Sequence, residues 1–146
     1  MRHGLAENKF ESDFTRALSE VGKKQAESVA KQLIQNEKSL PKKMLVSPFK
    51  RTQETANVVH SFLGLSEPFE NEELLVHFAD PKILGDFLIT SGHEELIVIS
   101  HMPIVAELCQ YIQPGCDIYG FQTAQVVKFE FDLDGVASME KIYLAD

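Results

Sequence analysis

The sequence predicts an α/β fold, a three-layer α/β/α sandwich with a C-terminal β-hairpin. Three observations carry this. Leu96-Ile97-Val98-Ile99 is a continuous apolar, mostly β-branched run, and Met44-Leu45-Val46 is a shorter one, both too short for helices and suited to buried strands. Stripes with helical spacing alternate with these runs. The tail then changes to a period of two, Val127, Phe129 and Phe131 alternating with Lys128 and Glu130. Strand–helix alternation calls for helices on both faces of a sheet.

The totals fit one domain spanning residues 1–146. A chain of 146 residues is long enough to bury a core without staples. Fourteen basic against 22 acidic side chains give a net charge of -8, which argues against nucleic-acid phosphates or an anionic membrane as partners. Any bound anion must therefore meet a local cluster of cations. Cys109 and Cys116 are too few for a disulfide framework, lack a metal-ligand pattern, and read as buried or semi-buried thiols. No apolar run reaches the ~20 residues that span a bilayer, and no signal peptide precedes the body of the chain, so cytoplasm is the expected compartment.

The elements follow in order. Leu5 to Thr15 is polar and aperiodic, a loop. Ser19 is a candidate N-cap with Glu20 behind it, and Val21, Ala26, Val29, Ala30, Leu33 and Ile34 form an apolar stripe running to about Asn36. Arg16 precedes that helix. After the Met44–Val46 strand, Thr52, Ala56, Val59 and Leu63 line one helix face that ends at Gly64. The turn Ser47-Pro48-Phe49-Lys50-Arg51 thus lies beyond a strand's carboxyl end, where open α/β sheets bind ligands. Leu74-Leu75-Val76 is a strand or an irregular stretch. Asp80-Pro81 opens a helix carrying Ile83, Leu84, Phe87 and Leu88 and ending at Gly92. His101-Met102-Pro103 turns from the Leu96–Ile99 strand into a helix stopped by Pro114-Gly115. Asp134-Gly135 is the turn of the hairpin.

His3, Arg51 and His101 therefore stand at strand ends on one side of the sheet, with Arg2 and Arg16 nearby. A cation in the first turn of a helix, as at Arg51, opposes the helix dipole unless an anion binds there.

These residues form an ordered set of motifs. Arg2-His3-Gly4 resembles the signature of the histidine phosphatase superfamily. Arg16-Ala17-Leu18-Ser19 with Gly22 is similar to a motif of its short SixA-type branch, the phosphohistidine phosphatases. Val46-Ser47-Pro48-Phe49-Lys50-Arg51-Thr52 with Thr55 resembles the second phosphate-binding motif. Ser100-His101-Met102-Pro103 resembles the Ser-His-x-Pro motif. The resemblance implies a phosphoglycerate-mutase-like fold. It makes His3 a nucleophile that carries the phosphoryl group and His101 the second catalytic histidine, with Arg2 and Arg51 also catalytic; Arg2, Arg16, Arg51 and His101 bind the phosphate, with no metal and no cofactor. Neutral imidazole is the attacking form, favoured by neighbouring cations.

The implied substrate is phosphohistidine on a protein, such as a histidine-phosphotransfer domain. Little between Gly64 and Gly92 is long enough to cap the site. A small-molecule phosphomonoesterase and a catalytically idle phosphate-binding module remain the alternatives. Two departures from the family pattern are visible. Only Met1 precedes Arg2, where relatives have a central strand; the expectation is a truncated start, with unpaired backbone groups and a slot in the core. A general acid is also hard to place, since Glu72, Glu73, His77 and Asp80 sit in no convincing motif.

Overall fold

A computed structural model covers residues 1–146. In chain order its elements are α1 (Glu20–Asn36), β1 (Lys43–Val46), α2 (Lys50–Leu63), β2 (Glu70–Asn71), a 3-10 turn (Glu73–Leu75), α3 (Pro81–Thr90), β3 (Leu96–Ile99), α4 (Ile104–Ile112), β4 (Val126–Phe131) and β5 (Ala137–Tyr143). The strands β2-β1-β3 form a parallel sheet, with Leu45 opposite Val98 and Val46 opposite Ile99. β4 and β5 pair antiparallel.

Helix ends fall where the sequence chemistry places them. The Ser19 side chain accepts from the Gly22 amide, and Gly64 closes α2 in the left-handed conformation at φ 64°. Asp80 caps α3 through Lys82 and Ile83. The Leu74–Val76 stretch is irregular, a single 3-10 turn with Leu75 completely buried. β2 is only two residues long and had no periodicity to reveal it.

Strand alternation builds the three layers. Met44, Val46, Ile97 and Ile99 point to one face and pack on Ala26, Val29 and Leu33 of α1 and Ala56, Val59 and Leu63 of α2. Leu45 points to the other face, with Leu75, Leu84 of α3, and Ile104 and Leu108 of α4. A third cluster, from Val105 to Phe121, seats the hairpin through Val127, Phe129 and Met139. No helix is long and apolar enough to cross a membrane.

Met1 to His3 take the place between β3 and the segment leading into β4. Arg2 makes a single parallel bridge to Ser100. The His3 amide donates to Ser100 O at 3.0 Å, the Ser100 amide to Met1 O at 2.9 Å, and the Ala124 amide to His3 O at 2.9 Å. Below Met1 the two sheets part around a cavity of about 800 Å³, lined by Leu96, Val98, Val105, Val127 and Phe129 among others. Met1 to His3 thus join the sheet through one bridge, with a largely apolar cavity beneath them. That bridge suffices to fix His3 at the carboxyl edge of the sheet.

Candidate active site

His3 is held from three sides. Its Nδ1 lies 2.6 Å from Gly4 O. A carbonyl can only accept, so Nδ1 carries the proton and Nε2 bears the lone pair. Arg51 confirms this from the other side, donating Nε–H to His3 Nε2 at 3.2 Å. The Gly4 amide in turn donates to Thr55 Oγ1 at 3.1 Å, and that hydroxyl donates to Arg51 O at 2.7 Å. Gly4 must be glycine because a Cβ there would lie 2.4 Å from Gly22 O, where the chain crosses α1.

Arg51 is buried, although an arginine in the first turn of a helix is ordinarily solvated. Its guanidinium lies 5.0 Å from the Phe49 ring centroid, and Nη1 donates to Asp13 O at 2.8 Å. Asp13 Oδ2 stands 3.3 Å from Arg51 Nη2, and Oδ1 stands 3.7 Å from Arg16 Nε. Arg16 also stacks on Phe10 at 5.0 Å. Arg2 is anchored by Nη1 donating to Phe121 O at 2.6 Å. Three arginines against one carboxylate give a local positive field inside an acidic protein.

His101 is 1% exposed, with its ring 5.2 Å from that of His3. Its Nε2 pairs with Ser47 Oγ at 2.7 Å, leaving Nδ1 free. Both catalytic candidates are held neutral. Burial is the chief cause and Arg51 adds to it, bringing His3 down to about 4 and His101 to about 2. For His3 the arginines are the smaller influence, opposite to the weight given them from sequence.

Four buried side-chain nitrogens make no hydrogen bond within the protein: Arg2 Nε, Arg16 Nε, His101 Nδ1 and His77 Nδ1. Orphaned buried donors are rare in native structures. Three of these, on Arg2, Arg16 and His101, belong to residues that the motifs mark as phosphate ligands, and an oxyanion is a group that could accept from them.

The structure brings His3, Arg2, Arg16, Arg51 and His101 together, as the motifs required. It adds residues that sequence reasoning passed over. Asp13 lay in an aperiodic loop, and its only signal was an acidic side chain three positions before Arg16. Ser47 and Thr55 were seen as motif members without a function; one pairs with His101, and the other ties Gly4 to α2. His60 and Lys50 stand apart, His60 on Glu67 O and Lys50 near Glu54. Cys109 and Cys116 are buried and free, and burial pushes the Cys109 thiol up to about 12.

A neutral imidazole with its lone pair beside arginine forks, at the carboxyl edge of a parallel α/β sheet, has the chemistry that phosphoryl transfer needs. Comparison with known proteins gives the family. Residues 1–76 match the model of the histidine phosphatase superfamily (branch 1). The phosphohistidine phosphatase SixA homolog of Haemophilus influenzae is 30% identical over 141 residues, covering 90% of this chain and 86% of its own. Phosphohistidine phosphatase SixA of Escherichia coli is 30% identical over 138 residues, covering 92% and 85%. A solved protein histidine phosphatase SixA complexed with tungstate superposes with a TM-score of 0.90 at 28% identity, over 99% of this chain and 94% of that one. The chain belongs to branch 1 of the histidine phosphatase superfamily.

Proposed function

We propose that this chain is one phosphatase domain, residues 1–146, that hydrolyses phosphohistidine on a protein through a phospho-His3 intermediate. The observation that carries the reading is the set of buried nitrogens without hydrogen bonds on Arg2, Arg16 and His101, the two arginines close enough to lower the His3 pKa and the His101 ring 5.2 Å from that of His3. His3 Nε2 attacks phosphorus in line with the departing nitrogen. Arg2, Arg16 and Arg51 hold the equatorial oxygens, and His101 donates Nδ1–H to one of them as charge develops. The tautomer this needs is the one in which Ser47 Oγ donates to His101 Nε2. Water then attacks the phosphoryl group on His3, and two easier displacements replace one hard one.

Phosphate binding exchanges partners already present. Arg51 leaves His3 Nε2 for a phosphoryl oxygen, and the Asp13 carboxylate gives up its share of the two arginines. The similarity to phosphohistidine phosphatases over nearly the whole chain supports a P–N substrate, and tungstate, bound by one of the relatives, is a tetrahedral oxyanion like phosphate. The test is a side-by-side assay of phosphohistidine protein, free phosphohistidine and a panel of sugar and alkyl phosphates, with His3→Ala as control. Preferred turnover of the phosphoprotein, abolished in His3→Ala, is expected. Equal or faster turnover of the esters would favour a small-molecule phosphomonoesterase.

A further inference from the structure

One of the four orphaned nitrogens belongs to a residue outside the phosphate-binding set. His77 sits at the centre of a turn, Val76 to Ala79, closed by the Ala79 amide on Val76 O at 3.2 Å. The turn is tied to the catalytic edge two residues earlier, where Ser100 Oγ donates to Leu75 O at 2.5 Å. The His77 ring lies 5.5 Å from that of His101 and 5.3 Å from Phe49, edge to face in both cases. Phe78 covers its other side at 5.0 Å. Nδ1 is enclosed and unpartnered, whereas Nε2 also makes no protein hydrogen bond but is not enclosed.

The neighbouring ionisable groups are otherwise employed. Glu72 accepts from the Leu74 amide at 2.9 Å, and Asp80 accepts from Lys82 at 2.8 Å to cap α3. Glu73 is exposed. Asp13 faces Arg51 and Arg16. Of the candidates between β2 and α3, only His77 packs against a catalytic histidine. Imidazole is also the side chain best suited to give and take a proton near neutrality.

We propose that His77 is the proton donor to the leaving group, a catalytic residue beyond the two histidines of the motifs. As His3 Nε2 bonds to phosphorus, the bond to the leaving nitrogen or oxygen breaks and its electron pair stays on that atom. Protonated His77 gives that atom the Nε2 proton. In the second step water attacks phosphorus, neutral His77 takes the water's proton, and the phosphorus–His3 bond returns its pair to His3 Nε2. The proposal rests on His3 as the nucleophile but not on phosphohistidine as the substrate.

The test is a series of aryl phosphates, from dinitrophenyl phosphate, whose phenolate leaves unassisted, to phenyl phosphate, whose leaving group needs a proton. Wild type, His77→Gln and His77→Ala are compared, with phosphohistidine protein as a further substrate. The variants should lose ~100-fold in kcat/KM on phenyl phosphate and less than about threefold on dinitrophenyl phosphate, the size expected of general acid catalysis. Added imidazole should restore part of the loss in His77→Ala. A uniform loss along the series, or none, would overturn the proposal. A wild type indifferent to phosphohistidine would count against that substrate while leaving the aryl series to decide on His77.

Discussion

Arg51 donates its Nε–H to His3 Nε2 across 3.2 Å, so the lone pair proposed to attack is bonded to the cation proposed to hold the phosphoryl group. The same guanidinium binds Asp13 through both of its other nitrogens. One planar fork therefore orients His3 and fixes the loop before α1.

Lysine at this position would keep the charge and lose the fork. Arg51→Lys should lower kcat/KM by ~10²–10³-fold, the cost of a lost transition-state donor. Steady-state kinetics on a phosphohistidine protein checks this; a lysine variant with nearly wild-type kcat/KM would show that charge alone suffices.

Much of this was legible in the sequence, for identifiable reasons. Caps are local chemistry, so Ser19, Gly64 and Asp80 announced their helix ends. His3, Arg51 and His101 follow strands, and strand ends converge once the sheet is parallel. What the sequence left unseen or undecided depends on contacts between distant segments. Asp13 meets Arg51 across 38 positions, and His77 meets His101 through a turn whose placement depends on Ser100 and Leu75. β2 is two residues long, and its pairing to β1 exists only in three dimensions.

Burial of His3 has a measurable pH signature. Its ordinary value of 6.5 falls to about 4 in the folded protein, chiefly by desolvation. Below 6.5 the unfolded chain takes up a proton that the folded chain refuses, so stability falls as pH falls from there to about 4. Such a group contributes about 1.4 kcal/mol per pH unit within that window. Urea unfolding of wild type and His3→Gln at pH 7 and pH 5 should show the wild type losing more stability, by roughly 2 kcal/mol. Parallel losses in the two proteins would contradict the burial of a neutral His3.

Gly4 and Gly22 cross with no room for a side chain. A Cβ on Gly4 would meet Gly22 O at 2.4 Å, and one on Gly22 would meet Leu5 O at 2.2 Å. Both partners are backbone, so the chain itself must shift. Gly4→Ala should destabilise by ~1–3 kcal/mol and lower kcat as well, because Gly4 O holds the His3 tautomer. Gly120, with nothing within 4 Å, is the control position. Gly120→Ala should stay within about 0.5 kcal/mol of wild type. Thermal melts and turnover of the two variants check the contrast, and equal behaviour would remove the steric reason for Gly4.

The central claim is that His3 attacks through Nε2, because Nδ1 is committed to Gly4 O. It is tested most directly by rapid quenching of the enzyme with radiolabelled phosphohistidine protein, followed by alkaline digestion and separation of the phosphorylated histidine isomers. Acid-labile, base-stable label recovered as Nε2-phosphohistidine from the Arg2-His3-Gly4 peptide, and absent from His3→Ala, is the expected result. Label on Nδ1, label on another residue, or label persisting in His3→Ala would contradict it.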